Sequence, residues 1–226
     1  MISGASRGIG QAIATALYDG GYSLSLGIRN PEALDTARWE AARLAVHPFE
    51  AEDRDTHGAW VDATMERFGR IDGLVNNAGI GSRMTIETYD EDHFDRLWAI
   101  NVKAPLSLTN LALPWLRKSG RGRIVNIASL SGKRVRNDNV GYAMSKFAVV
   151  ALTHGTRRIA WDDGVRATVI CPGFVRTDAT ADVTKVSREQ MIDPADVARL
   201  VATVLALPNT AVVAELLVNC QQEDML

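Results

Sequence analysis

Short apolar, β-branched runs alternate with longer helical stretches along this 226-residue chain, and nothing else in it confines the fold as tightly. Residues 22–28 read as a short strand and 31–44 as a helix. A second apolar stretch at 46–49 precedes a helix over 56–68 that Gly69 stops. Residues 73–76 form a short strand. A long helical region follows over 91–118, interrupted by Pro105 and Pro114. Residues 123–127 are strand-like, the helix carrying Tyr142 runs to about Trp161, and 165–171 is the next buried strand. Pro194 opens a helix, in the favoured first-turn position, that ends near Leu207, and 214–218 is a final strand. Strands this short and this apolar, separated by helices of ten or more residues, imply a parallel sheet covered on both faces. No repeat, low-complexity tract or linker divides the chain. The expectation is one α/β domain over residues 1–226, a doubly wound, Rossmann-like sheet in the order 3-2-1-4-5-6.

Composition narrows the function. With 46% apolar and 23% charged residues the chain is ordinary for a globular protein, and its net charge of −2 lacks the basic footprint that non-specific nucleic-acid binding needs. No apolar run approaches the roughly 20 residues that span a bilayer. Residues 1–7 lack the apolar stretch of a signal peptide, so a cytoplasmic location is expected. Cys171 and Cys220 make neither a disulfide framework nor a metal cluster, and each falls in or near an apolar run that suits a buried thiol.

In doubly wound sheets ligands bind beyond the carboxyl ends of the strands, and the unusual polar sequences here fall there. Gly4-Ala5-Ser6-Arg7-Gly8-Ile9-Gly10 opens a helix that continues through Ala16. Glycines allow a tight turn and close approach to a pyrophosphate, and the helix start offers N–H groups and a favourable dipole. The end of the second strand selects the nucleotide. A carboxylate there would hold the ribose 2′-hydroxyl of NAD, but the segment reads Gly27-Ile28-Arg29-Asn30. Arg29, with Arg7 in the glycine turn, suits a 2′-phosphate, which points to NADP(H) over NAD(H).

Tyr142 and Lys146 stand four residues apart in Gly-Tyr-Ala-Met-Ser-Lys, so on a helix they share a face. An ammonium beside a phenol favours the phenolate, and a phenol so tuned can exchange a proton with an alcohol or carbonyl oxygen. The spacing alone equally suits an amphipathic helix with a half-buried tyrosine and a solvated lysine.

Taken together these segments resemble the short-chain dehydrogenase/reductase family of the classical type, over nearly the whole chain. The glycine turn Thr-Gly-x-x-x-Gly-x-Gly is matched with serine at Ser3. Asn76-Asn77-Ala78-Gly79, Asn101 in Asn-Val-Lys-Ala-Pro, Ser129 in Asn-Ile-Ala-Ser-Leu-Ser-Gly, Tyr142 with Lys146, and Pro172-Gly173-Phe174-Val175-Arg176-Thr177 follow in the family's order. The resemblance implies Tyr142 as general acid/base and Ser129 as hydrogen-bond partner of the substrate oxygen, with Ser131 the less well-spaced choice. It implies Lys146 on the nicotinamide ribose and Asn101 in a water-mediated proton relay. It also implies cofactor contacts from Gly4, Ser6, Arg7, Gly8, Ile9, Gly10 and Arg29, and from Asn77, Ala78 and Gly79 on the adenosine side. Tyr142, Lys146, Pro172, Gly173, Val175 and Thr177 belong to the nicotinamide side. Members usually carry an aspartate against adenine after the third strand. Glu50, followed by Ala51, takes that place here, with Asp53 the alternative.

Two departures lie at the ends. Only Met1, Ile2 and Ser3 precede the glycine turn, which predicts either an unusually short central strand or a shortened version of a longer sequence; the latter is expected. Residues 215–219 lack the family's frequent Asp-Gly-Gly. That turns the reading from acyl-carrier-protein ketoreductases toward enzymes of small alcohols, hydroxy acids or sugars. Lys133, Arg134 and Arg136 after Ser129 suit an anionic substrate or a solvated basic loop. The short segment 178–189 suits an open pocket. Phe147, Val149, Val150, Leu152 and Trp161 cannot all face one sheet, which predicts a homodimer or homotetramer. The expected function is an NADP(H)-dependent carbonyl/secondary-alcohol oxidoreductase. The alternative is a catalytically weak dinucleotide-binding redox sensor or scaffold of the same fold.

Overall fold

In the computed structural model, which describes residues 1–222, seven strands form one parallel sheet ordered β3-β2-β1-β4-β5-β6-β7. The strands are β1 (Ile2–Ser3), β2 (Leu24–Ile28), β3 (Leu44–Pro48), β4 (Gly73–Asn76), β5 (Arg123–Ile127), β6 (Arg166–Pro172) and β7 (Glu215–Val218). The helices are α1 (Gly8–Asp19), α2 (Arg54–Phe68), α3 (Glu91–Trp98), α4 (Ala104–Lys118), α5 (Val140–Ala160) and α6 (Pro194–Ala206). The last residues of the tail, 223–226, lie outside the described residues.

β1 has only two residues, yet it sits mid-sheet and pairs on both sides, Ile2 with Leu26 of β2 and with Val75 of β4. The ladder runs one bond past each end: Val75 N–H donates to Met1 O at 2.8 Å and Gly4 N–H to Gly27 O at 2.9 Å. The strand is therefore short without leaving its neighbours' central groups unpaired.

Successive strand residues point to opposite faces, and the core divides accordingly. Val75 and Val125 face α1 and α6, where Ile13, Leu17, Val197 and Val201 are buried. Leu74 and Ile124 face the other layer, with Trp60 of α2 and Leu108 and Leu116 of α4. Both faces of β4, β5 and β6 are covered, which is why apolar residues of these strands point to both sides of the sheet.

Two expected helices are corrected. Residues 31–44 form no α-helix: single 3₁₀ turns at Pro31–Ala33 and Ala41–Arg43 flank an irregular stretch. The large apolar residues Leu34, Trp39 and Leu44 recur every five positions, so a helix would spread them around its surface. The side chain of Asp35 accepts the Ala37 N–H at 3.0 Å, a local alternative to a helical bond, and Trp39 stacks on Tyr18 of α1 at 5.6 Å. The 91–118 region breaks at neither proline. Pro105 occupies the first turn of α4 and Pro114 lies inside it, whereas the break is a π-helical turn, Ala99–Lys103. Gly69 does close α2, in a left-handed conformation with φ of 69°.

Candidate active site

All seven strands run the same way, so the loops at their carboxyl ends share one rim, and the rim is built in two parts. On the first, the turns after β1 and β4 are stitched together. Ser3 Oγ accepts the backbone N–H of Asn77 at 3.0 Å and of Ala78 at 3.1 Å. Asn77 Nδ2 donates back to the carbonyls of Ser3 and Gly4, both at 3.1 Å. Gly4 has a φ of 68°, and a Cβ on Gly10 would lie 2.2 Å from the Gly4 carbonyl oxygen. No side chain fits there, so α1 enters hard against the turn. Its first N–H groups, from Gly8, Ile9 and Gly10, have no helical partner and are available to an anion.

Ser6, Arg7 and Arg29 are exposed on this part of the rim, and Glu50 and Ala51 are half-buried after β3. Arg7 lies 3.6 Å from the carboxylate of Asp178, in the segment after β6. Gly8 meets that segment too, since a Cβ on it would touch Thr177 at 3.2 Å. Pro172 and Val175 are buried, and Gly173 N–H is fixed to Val218 O at 2.8 Å.

The second part lies at the ends of β4 and β5. Lys146 is only 6% exposed, which removes the solvated-lysine reading of the Tyr-x-x-x-Lys spacing. Its Nζ donates to the Ile127 carbonyl at 3.2 Å and sits 5.5 Å from the centre of the Tyr142 ring. Asn101 occupies the π turn, where the widened backbone takes a side chain inward. Its Oδ1 accepts Ile80 N–H at 2.9 Å, and its Nδ2 donates to Ile80 O at 3.0 Å and to Ser145 Oγ at 3.1 Å. Gly79 lies between them: its missing Cβ would lie 3.2 Å from Asn101 Oδ1 and 3.6 Å from Lys146 Nζ. Ser129 starts the 3₁₀ turn after β5, its Oγ accepting Ser131 N–H at 3.1 Å.

Below this part runs a buried polar ladder. Asn76 Nδ2 donates to Thr109 Oγ1 at 3.2 Å and to Asn126 Oδ1 at 2.8 Å, and Asn126 Nδ2 donates to Thr153 Oγ1 at 2.8 Å. It ties β4, β5, α4 and α5 together one residue before the rim.

Several supporting residues escaped the sequence reading. Asn139 caps α5 by accepting Tyr142 N–H at 3.4 Å, and its amide also reaches the Ser82 carbonyl. Its place three residues before Tyr142 was the available signal. Ser145, which bonds Asn101 and donates to Tyr142 O at 2.8 Å, carried no such signal. Lys133 is taken up by Glu215 at 2.8 Å, and that bond holds the Glu215 carboxyl below its ordinary range. Cys171 is buried, and its burial pushes the thiol up to about 11, while Cys220 is only partly buried.

Residues 1–188 match the family profile described as short chain dehydrogenase. The chain belongs to the short-chain dehydrogenase/reductase family, whose members carry out NAD(P)-linked oxidoreductions. It is 48% identical over 227 residues to an agropine synthesis reductase of Rhizobium rhizogenes, a match covering 100% of this chain and 53% of that protein. The chain thus spans about half the length of the curated relatives it matches first. Among solved structures, an alcohol dehydrogenase from the archaeon Thermococcus sibiricus complexed with 5-hydroxy-NADP superposes with a TM-score of 0.89. It is 28% identical, over 99% of this chain and 97% of that one. A metagenomic short-chain oxidoreductase in complex with NADP gives a TM-score of 0.82 and 31% identity, over 96% and 95%. Among the described residues no helix is long and apolar enough to cross a membrane.

Proposed function

We propose that residues 1–226 act as one dinucleotide-binding domain that uses NADP(H) to interconvert a carbonyl and a secondary alcohol. The observation that carries this reading is the buried Lys146 ammonium beside the Tyr142 ring, with Asn101 fixed next to it across Gly79. The glycine cradle and the helix start behind it fit a pyrophosphate. When bound, the nicotinamide supplies the hydride. In reduction, Tyr142 gives its phenolic proton to the carbonyl oxygen as the hydride reaches the carbon, and in oxidation it takes that proton back. Ser129 steadies the charge that develops on the oxygen. Lys146 has three donors, one on Ile127 O, leaving two for the ribose hydroxyls. Asn101, with Ser145 behind it, orders the path by which the proton is replaced.

Arg29 at the end of β2, with no carboxylate in that place, supports NADP(H) over NAD(H), as do the NADP-type ligands of the two solved relatives. The likeness to proteins named agropine synthesis reductases supports reduction as the working direction. Tyr142→Phe tests the assignment: turnover over a panel of carbonyl substrates should fall by about 10²–10⁴, with NADPH affinity unchanged. Retained turnover would remove Tyr142 from the chemistry.

The same domain is proposed to assemble as a homodimer or homotetramer. Val149 and Val150 of α5 are buried against the sheet, whereas Phe147 and Trp161 stay 42% and 41% exposed, and Leu106 of α4 is exposed as well. Light scattering at micromolar concentration should report twice or four times the monomer mass; a monomer refutes it.

A further inference from the structure

Histidine is costly to bury unless both ring nitrogens are bonded, and His57, in α2, is 1% exposed. Its Nε2 lies 3.2 Å from the Glu50 carbonyl oxygen and its Nδ1 3.0 Å from Ser107 Oγ of α4. A carbonyl can only accept, so Nε2 carries the proton; Nδ1 then holds a lone pair and receives the Ser107 hydroxyl. Burial keeps the ring below the usual histidine range, in agreement with a neutral imidazole. Phe49 backs the ring at 5.0 Å, and Phe49 N–H is itself tied to Ile28 O at 2.9 Å, at the end of β2.

The neighbouring hydroxyl cannot do the same work. Thr56 Oγ1 accepts Glu50 N–H at 3.1 Å and lies 2.6 Å from Asp53 O and 3.1 Å from Glu50 O. It has one hydrogen, and the shorter contact claims it for Asp53. The Glu50 carbonyl accepts the Asp53 N–H at 3.0 Å within the turn itself, and His57 supplies the second donor, the side-chain bond that ties the turn to the body of α2. Glu50 and Ala51 follow β3 on the rim, beside the glycine turn after β1 and Arg29 after β2, where an adenosine would lie.

We propose that His57 is a positioning residue for the adenine end of the nucleotide site: by holding the Glu50 carbonyl and leaning on Ser107, it orients the Glu50–Ala51 turn toward the base. This rests on the cofactor reading above. A core-filling histidine with no such duty would be replaceable by any side chain of similar size.

The test compares two halves of the cofactor on the whole chain. Adenosine 2′,5′-bisphosphate probes the adenine end and reduced nicotinamide mononucleotide the other. His57→Leu fills the space without a donor, and should raise the Kd for the bisphosphate about tenfold, the loss of both neutral hydrogen bonds of the ring at about threefold each, while changing the mononucleotide Kd less than about twofold. His57→Gln can place an N–H near the position of Nε2 and should restore bisphosphate binding to within about threefold of wild type. Equal weakening of both probes by the leucine variant, no weakening of either, or a glutamine variant as weak as leucine overturns the proposal. If the leucine variant does not fold, the glutamine variant and Ser107→Ala decide. Ser107→Ala should weaken the bisphosphate alone, by about threefold, through the loss of one neutral hydrogen bond behind the ring; unchanged bisphosphate binding overturns the proposal. Wild-type protein that binds neither the bisphosphate nor NADPH overturns the cofactor reading itself.

Discussion

The two sides of the sheet hold their loops by different means. On the β4–β5–β6 side, Asn76, Asn126, Thr109 and Thr153 are buried at 0–4% exposure and bonded to one another, so the Asn101, Tyr142 and Lys146 framework stands on a polar ladder inside the core. On the β1–β2–β3 side, the central strand has two residues and the crossover from β2 to β3 has no α-helix. There the order comes from the surface inward: Trp39 stacks on Tyr18, Arg43 lies over the same ring at 4.1 Å, and His57 braces the turn after β3. Under the proposed function, the side that positions a proton donor demands fixed geometry over a short range, whereas the side that grips a large nucleotide can spread its contacts and tolerate a looser frame.

Breaking the ladder should produce the largest effect. Asn126→Leu keeps the branched shape but removes one of the two acceptors of Asn76 Nδ2 and the donor to Thr153 Oγ1, both buried. Unsatisfied buried polar groups cost about 1–3 kcal/mol each, so a loss of about 2–4 kcal/mol is expected in urea unfolding. Turnover at saturating NADPH should fall with it, because β4, β5, α4 and α5 meet at this residue. A loss below about 0.5 kcal/mol would mean that the ladder is not what stiffens this side.

The same contrast decides what the sequence revealed. β4 and β5 carry the bounds expected for them, because continuous apolar runs ended by Asn-Asn and Ala-Ser have one reading in a covered parallel sheet. Of the residues proposed for catalysis, Ser129 directly follows a strand, whereas Asn101 sits in the π turn and Tyr142 and Lys146 lie on α5. The 31–44 segment misled because alanines, glutamates and arginines favour a helix locally, while the stacking of Trp39 on Tyr18 is a tertiary contact invisible along the chain. The π turn at Asn101 was hidden for a related reason: prolines nearby offered an obvious break, and the actual one is made by a side chain turned inward. Ser145 and His57 act through partners 44 and 50 residues away, at Asn101 and Ser107, which no local pattern encodes.

On the nucleotide side a single charge should matter less than the ladder. Arg29 is exposed at the end of β2, so its contribution is electrostatic and not architectural. Arg29→Gln should raise the Kd for NADPH about tenfold, leave that for NADH within about twofold, and leave the urea midpoint unchanged. Equal losses for both nucleotides would place Arg29 away from the 2′-phosphate and return the selection to Arg7, whose guanidinium is shared with Asp178.

Acid should separate the two sides by the order in which they weaken. His57 and His47 are held below the ordinary 6.5 by burial, so the unfolded chain takes up protons there that the folded chain refuses. The stability they confer is complete above pH 6.5 and is lost as pH falls from there through their folded values. Glu215, at the far edge of the sheet, is held below 4.5 chiefly by its bond to Lys133, so its contribution is intact above pH 4.5 and lost only beneath it. The thermal midpoint of wild type should therefore decline first as pH falls below about 6.5, and His57→Gln should decline less there because one of the two desolvated imidazoles is gone. Lys133→Met should run parallel to wild type but below it down to about pH 4.5 and converge with it only beneath that value. Superimposable wild-type and His57→Gln profiles would show that the imidazole is not the acid-sensitive group on the nucleotide side, and that its brace on Glu50 survives protonation.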